Sequence, residues 1–293
     1  MHLSDDPIDK ARARRHFERA AGDYDSVAVL QREIADRLLE RLDYVRLVPE
    51  RILDLGAGTG YAIDGLQRRY RQVQVIALDF AHDMLRQAQR RGSWRRRPLC
   101  VCADVEALPL ADASVDLIVS NATLQWCNDL GRTFDECRRV LRPGGLLMFT
   151  TFGPDTLTEL RQSWRQVDGH AHVSPFLDLH DVGDALVRAR FSDVVMDAER
   201  LTLTYERLRD LMHDLKTLGA NNATQARPRG LTGRARLAAV EQAYETHRCD
   251  GRLPASYEVV YGHAWALEQR PPARGEISIP VSAIGGRGRS AKP

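Results

Sequence analysis

Three carboxylates fall at even intervals early in the chain: Asp54, Asp79 and Asp104, each 25 residues after the last. Asp54 opens the stretch Asp54-Leu55-Gly56-Ala57-Gly58-Thr59-Gly60, in which three glycines spaced two apart follow an apolar run (Ile52, Leu53, Leu55). Such glycines permit backbone torsions closed to other residues, and their missing side chains let a ligand lie against the main chain. Asp79 closes a second apolar run, Val73-Gln-Val-Ile-Ala-Leu-Asp79. A carboxylate at the carboxyl end of a strand can accept both hydroxyls of a ribose. The nicotinamide-dinucleotide pattern G-x-G-x-x-G would want its third glycine at position 61, which is Tyr61. A dehydrogenase is disfavoured by that spacing.

Strands must hold these groups at one edge. The apolar runs at 52–55, 73–79, 99–102, 115–121 and 141–149 read as five strands. Between the last two, 130–140 is an amphipathic helix that stops before Arg142-Pro143-Gly144-Gly145. Upstream, Phe17, Ala20, Ala21 and Tyr24, then Val27, Leu30, Ile34 and Leu38, lie at helical spacings, with a break expected at Gly22-Asp23. That segment precedes the first strand, so it stands outside the sheet and is placed to cap a cofactor, with Tyr24-Asp25 as the part that would meet it. Downstream, 181–189 reads as a helix, 193–197 as a sixth strand, 201–205 as an extended segment, 206–218 and 234–246 as helices, and 257–265 as the last strand. The roughly 50 residues between Tyr205 and Ser256 exceed a hairpin connection and are expected to form a lid. The segments divide as 1–44 (helical cap), 45–152 (cofactor-binding core), 153–269 (rest of the sheet with lid insertions) and 270–293 (flexible basic tail).

At 293 residues the chain can bury a full core as one α/β domain with insertions. A hydrophobic fraction of 43% with 28% charged residues is that of a soluble globular chain, and no uncharged run reaches the ~18–20 apolar residues of a membrane span. The polar, acidic start Met-His-Leu-Ser-Asp-Asp-Pro is unlike a secretory signal. Five cysteines without a C-x-x-C pair make neither a disulfide framework nor a zinc site, so no metal is expected. Cys100 and Cys102 read as core residues on one strand face, and the expected setting is cytoplasmic and reducing. Net charge is +2; five basic groups against Glu276 give the last 24 residues +4, which leaves the body at −2 and argues against general nucleic-acid binding. Lys10, Lys216 and Lys292 are the only lysines among 42 basic residues, a global arginine bias that takes weight from runs such as Arg95-Arg96-Arg97.

The Asp-x-Gly-x-Gly-x-Gly form resembles motif I of the class I S-adenosylmethionine (SAM) methyltransferases, and the strand landmarks follow in that class's order over about 100 residues. The resemblance implies a Rossmann-like α/β fold. Its sheet would be seven-stranded and mostly parallel with one antiparallel strand (257–265, beside the fifth), with an N-terminal helical cap and a helical lid insertion. It also implies SAM as the cofactor. Gly56, Gly58 and Gly60 would form the loop against it, and Asp54 would orient its methionine end or shape that loop. Asp79 would take the ribose, and Asp104 with the N–H of Val105 would read the adenine edge. Met84, Asn121 and Tyr24 complete the expected contacts.

The flanking segments resemble, more narrowly, the malonyl-[acyl-carrier-protein] O-methyltransferases of biotin synthesis. The likeness is carried by Phe17-Glu-Arg-Ala-Ala-Gly-Asp-Tyr-Asp-Ser-Val-Ala-Val-Leu-Gln31, Ser120-Asn-Ala-Thr-Leu-Gln-Trp-Cys127 and Phe149-Thr-Thr-Phe-Gly-Pro-Asp-Thr-Leu-Thr-Glu-Leu-Arg161. His180-Asp-Val-Gly-Asp-Ala-Leu186, Leu211-Met-His-Asp-Leu-Lys216, Gly230-Leu-Thr-Gly-Arg234 and Tyr257-Glu-Val-Val-Tyr-Gly-His263 add to it, so that it covers about residues 15 to 267. The implied reaction is methyl transfer from SAM to the free carboxylate of a malonyl thioester, on acyl carrier protein or coenzyme A. The methyl ester hides that charge, so the thioester can prime fatty-acid elongation toward pimeloyl and biotin. A carboxylate (pKa near ~4) is already ionised and the sulfonium methyl already activated, so no general base is required. In-line placement at roughly 3 Å can be worth ~7–11 kcal/mol.

A bidentate arginine would orient the acceptor but also stabilise the charge lost in the transition state, so one cation with neutral donors is expected. Candidates in the distinguishing segments are Lys216, Asn221, Asn222, Arg234 and His263. Gln125-Trp126, just after the fourth strand, would face the methyl-transfer side. An acidic carrier protein would meet a basic patch, for which Arg227, Arg229, Arg234 and Arg236 are candidates. Two other readings share this core: a SAM methyltransferase acting on a quinone or other small acceptor, and a non-catalytic SAM-binding protein that docks a partner.

Overall fold

The computed structural model describes residues 7–92, 94–225, 230 and 232–267. Arg227, Arg229 and the tail 270–293 lie outside the described residues. Three helices precede the sheet: α1 (Lys10–Ala20), α2 (Tyr24–Val27) and α3 (Val29–Arg41). Then β1 (Arg51–Leu55), α4 (Tyr61–Arg69), β2 (Gln74–Asp79), α5 (His82–Ala88), β3 (Leu99–Cys102), β4 (Val115–Ser120), α6 (Leu130–Val140) and β5 (Leu141–Phe152) follow. α7 (Thr158–Arg165) and α8 (Leu179–Arg188) lead to β6 (Phe191–Tyr205), and α9 (Leu208–Thr217) and α10 (Arg234–Glu245) are inserted before β7 (Leu253–Ala266).

Alternation builds the sheet. Along β1, Ile52 enters the apolar layer on one face while Leu53 and Leu55 enter the layer on the other. Val75 and Ala77 against Ile76 and Leu78 repeat this on β2, and Leu146 and Met148 against Leu147 and Phe149 on β5. Strands apolar on both faces need helices over both. α3, α4, α7 and α10 supply Ile34, Leu66, Trp164 and Tyr244 to the first layer, and α6 and α8 supply Phe134 and Leu186 to the second. In α6 the buried residues Leu130, Thr133, Phe134, Cys137 and Val140 recur at helical spacing, and Asp129 caps its start by accepting the Arg132 N–H at 3.1 Å.

The strand order is β3-β2-β1-β4-β5-β7-β6; β7 runs antiparallel to both neighbours and the other pairings are parallel. This is the expected sheet. Its order reverses between β1 and β4, where the crossover loops part and leave a crevice at the carboxyl ends.

Three local expectations are corrected. The sixth strand and the extended segment after it are one strand, β6, because β7 pairs with it without interruption from Val195 to Tyr205, while Arg37 and Arg41 of α3 pair with Glu199 and Asp197 in its middle, the latter at 2.7 Å. β7 starts at Leu253 rather than Tyr257, since its pairing with β6 runs on to Tyr205. Cys100 and Cys102 are exposed, because among the described residues β3 is the outermost strand of the sheet. The break at Gly22-Asp23 holds, and a second one at Ala28 separates α2 from α3.

The N-terminal segment and the segment between α9 and α10 are stitched together. Asp9 N–H donates to the Ala223 carbonyl at 2.8 Å, and Gln225 N–H to the Pro7 carbonyl at 3.1 Å. Gly219, at φ +73°, lets the end of α9 approach α1; a Cβ there would lie 3.1 Å from the His16 carbonyl oxygen. Among the described residues no helix is long and apolar enough to cross a membrane.

Candidate functional site

The glycine loop lies in the crevice beyond β1. Gly56 and Gly60 have positive φ and no room: a Cβ on Gly56 would fall 2.2 Å from Thr123 Oγ1, and one on Gly60 would fall 2.9 Å from the Ala88 Cα. Gly58 also has positive φ, but a Cβ there would meet nothing within 4 Å. The outer glycines therefore serve packing, and the middle one leaves the main chain open to a ligand. Gly56 and Ala57 N–H groups bond the Leu78 carbonyl at 2.8 and 2.9 Å, which ties the loop to the end of β2.

Asp79 completes that tie. Its Oδ2 accepts the Gly58 N–H at 2.9 Å and its Oδ1 the Ala81 N–H at 2.8 Å. Burial pushes this carboxyl up to about 6, against the pull of the Ala81, Gly58 and Phe80 N–H groups. Each oxygen keeps a second lone pair, so hydroxyls can still be accepted. Asp54 is buried too, and its Oδ2 has no hydrogen-bond partner. Burial and then the Asp79 charge push it up to about 7. Such an orphan oxygen suits an incoming cationic or hydrogen-bond-donating group.

A cleft of about 600 Å³ opens above the loop, lined by Gly56, Gly58, Asp79, Met84, Asp104, Val105, Asn121 and Tyr24. Asp54 lines a smaller cleft that shares Gly56, Gly58, Asn121 and Tyr24 with it. Gly60 stands behind, as the residue before the first turn of α4. The roof comes from α1. The Phe17 ring packs edge-on to Trp126 at 5.0 Å and lies 5.9 Å from Phe80, and Lys10 Nζ sits 2.7 Å from each oxygen of Asp104. Lys10, Phe17 and Phe80 were not among the expected site residues, although Lys10 and Phe17 are two helical turns apart and share a face.

Across Tyr24, Ala122 and Trp126 lies a second cavity of about 890 Å³. Its lining includes Trp126, Gln125, Asn221 and Asn222. Lys216, Arg234 and His263 are not in its lining. Lys216 is exposed on α9 while its neighbour Leu215 points inward, and Arg234 is exposed at the start of α10. His263 is half-buried midway along β7, opposite Met148 and Val195; burial and the Arg41 charge hold its pKa below the ordinary value. Tyr24 borders both cavities, and its phenol is pushed far up by burial and then by the Asp79 and Asp25 carboxylates, so it is a neutral donor.

The walls are held by backbone devices. Ala122 sits at φ +50°, and its N–H donates to Thr150 Oγ1 at 2.9 Å; that hydroxyl donates to Asn121 Oδ1 at 2.8 Å. The Gly153-Pro-Asp-Thr-Leu157 turn is clamped by Glu258 on β7, whose Oε2 accepts the Asp155 N–H at 2.8 Å and whose carbonyl accepts the Gly153 N–H at 2.9 Å. Asn222 donates to the Ala171 carbonyl at 2.6 Å and accepts from Thr224. Next to it, His172 lies in the lining with its ring stacked 3.7 Å from that of Trp164. His172 carried no local sequence signal.

A glycine loop at the switch point, a strand-end carboxylate and this strand order define a class I SAM-dependent methyltransferase. A Methyltransferase domain family profile matches residues 53–149. The crystal structure of a Bacillus halodurans protein assigned to the methyltransferases shares the fold, with a TM-score of 0.58 at 15% identity over 80% of this chain and 98% of its own. The chain is 53% identical to the malonyl-[acyl-carrier protein] O-methyltransferase of Methylovorus sp. (strain MP688), over 97% of each chain. It is 54% identical to that of Halorhodospira halophila (strain DSM 244 / SL1), over 96% of this chain and 97% of the relative. The chain belongs to the malonyl-[acyl-carrier protein] O-methyltransferase family.

Proposed function

We propose that the chain transfers the methyl group of SAM to the free carboxylate of a malonyl thioester on an acyl carrier protein, giving the malonyl methyl ester that primes elongation toward pimeloyl and biotin. The observation that carries this reading is identity above 50% over nearly the whole chain, cap and lid included, to relatives of that name.

Asp79 would hold the ribose, Asp104 and the Val105 N–H the adenine edge, and the orphan oxygen of Asp54 the methionine end. SAM supplies an activated methyl on a sulfonium. An acceptor carboxylate oxygen forms the new O–C bond as the S–C bond breaks, and that electron pair returns to sulfur. No proton moves, which fits an acceptor cavity lined by neutral donors such as Gln125, Asn221 and Asn222. Tyr24 and Trp126, set between the two cavities, would align donor and acceptor.

Arg234 and Arg236 are exposed at the start of α10 and suit an acidic carrier protein. The five cysteines are free, which suits a reducing cytoplasm. Incubation with SAM and malonyl carrier protein, followed by mass spectrometry, tests the reading. One added methyl on malonyl and none on acetyl is expected; no gain with SAM bound would overturn it.

A further inference from the structure

Among the described residues, the lining of the acceptor cavity holds no lysine, arginine, aspartate or glutamate, and His172 is its one histidine. It is therefore the one lining side chain able to carry positive charge. Its Nε2 lies 2.9 Å from Asp168 Oδ1, and both side chains are 13% exposed. The Trp164 ring stacks on the imidazole within 9° of parallel, and the Asn222 bond to Ala171 fixes the residue before it. Asp168 also accepts the His170 N–H at 3.0 Å, and Arg236 stands 3.8 Å from its other oxygen. Burial pushes the Asp168 carboxyl up, but the His170 N–H and the imidazole outweigh it and hold it below the ordinary range.

We infer that His172, as an imidazolium clamped by Asp168, receives the acceptor's carboxylate in this cavity. The inference rests on the carboxyl methylation proposed above. With Nε2–H committed to Asp168, a neutral ring would present the Nδ1 lone pair and repel a carboxylate. Protonated, Nδ1–H donates to it, and Asp168 offsets the added charge. No described residue bonds to Nδ1. A histidine–carboxylate pair can also serve as a general base, but an ionised acid has no proton to lose. The charge, spread over the ring and shared with Asp168, grips less tightly than a bidentate guanidinium, so little ground-state stabilisation opposes transfer. Once the ester forms, the attraction is gone and the product can leave. His172 is thus a substrate-binding residue, and Asp168 a positioning residue behind it.

Binding of malonyl-pantetheine and of its neutral methyl ester, each with S-adenosylhomocysteine present, tests the inference in wild type, His172→Gln and Asp168→Asn. Wild type should prefer the carboxylate. His172→Gln should lose about 10-fold or more of carboxylate affinity and leave ester affinity unchanged, and Asp168→Asn should lose a smaller part. Unchanged SAM affinity in each variant verifies an intact donor site. A preference kept in His172→Gln, or equal weakening of both ligands, overturns the inference. Wild-type methyl transfer to the malonyl thioester, measured alongside, judges the functional reading separately. Transfer in wild type with the preference kept in His172→Gln sinks the inference alone; no transfer, with the preference lost in the variant, sinks the reading alone.

Discussion

Lys10 Nζ, at the first residue of α1, lies 2.7 Å from both carboxylate oxygens of Asp104 just past β3, and 2.9 Å from Glu106 Oε1. One lysine thus latches the N-terminal cap across the end of the cofactor cleft that is expected to read adenine. Asp104 is 38% exposed, so solvent screening limits the latch to about 1 kcal/mol or less of global stability. Lys10→Met should therefore leave the melting temperature nearly unchanged while amide exchange across α1 rises and SAM dissociates several-fold faster. Unchanged exchange in α1 would show that the Phe17 ring contacts hold the cap alone.

Two buried carboxyls make SAM binding sensitive to pH. Asp54 is held up to about 7 and Asp79 up to about 6, in both cases first by burial. If the charged forms bind the donor, affinity should level off only well above pH 7 and fall as pH drops through 7 and then 6. Calorimetry across pH 5–8 would record this, and Asp54→Asn should lose the upper part of the fall. The same shift acts on stability with the opposite sign. The folded state keeps the Asp54 proton to higher pH than the unfolded chain does, so stability declines as pH rises toward 7. At pH 8 the cofactor-free Asp54→Asn protein should melt higher than wild type and bind SAM more weakly.

The glycine loop predicts a separation of effects. Gly56→Ala drives a methyl into Thr123 and should destabilise the fold by more than the ~1 kcal/mol cost of a left-handed alanine. Gly58→Ala has open space around it, so its loss should stay near that cost, yet its methyl stands where a ligand would approach. Thermal melts and SAM titrations of the two variants should rank them in opposite order.

How far the fold was legible depended on how local each cause is. The glycine loop, Asp79 and the strand landmarks are short-range patterns, and Gly56, Gly58 and Asp79 line one cleft with Met84, Asn121 and Tyr24. β6 was read as two pieces because the strand that pairs with its whole length, β7, lies beyond the α9–α10 insertion and leaves no mark in the local pattern. Cys100 and Cys102 follow a core pattern, but only the sheet order puts β3 at an edge. The second cavity joins α3, the 172–176 loop, the end of α9 and β7, so no single stretch announces it. Lys216 and Arg234 are exposed and outside that cavity's lining, whereas His172, which lines it, sits in a stretch without periodicity.

Thr150 offers a test of how the methyl-transfer wall is held. It is fully buried, accepts the N–H of Ala122 in its left-handed conformation and donates to Asn121, whose amide reaches the Gln31 carbonyl at 2.9 Å. Valine has nearly the same shape but no hydroxyl, so Thr150→Val leaves the half-buried Ala122 N–H without its partner. That costs about 1–3 kcal/mol, and relaxing Ala122 toward an ordinary conformation would relieve it. Ala122 separates the two cavities, so its movement should misalign donor and acceptor more than it weakens either ligand. Thr150→Val should therefore lower kcat by tenfold or more, with SAM affinity and KM for the malonyl thioester within about twofold of wild type, since the lost hydroxyl lines neither cavity and Asn121 keeps its bond to the Gln31 carbonyl. A variant that loses stability but keeps kcat would show that the Ala122 conformation is held by the chain around it and that Thr150 serves the fold alone.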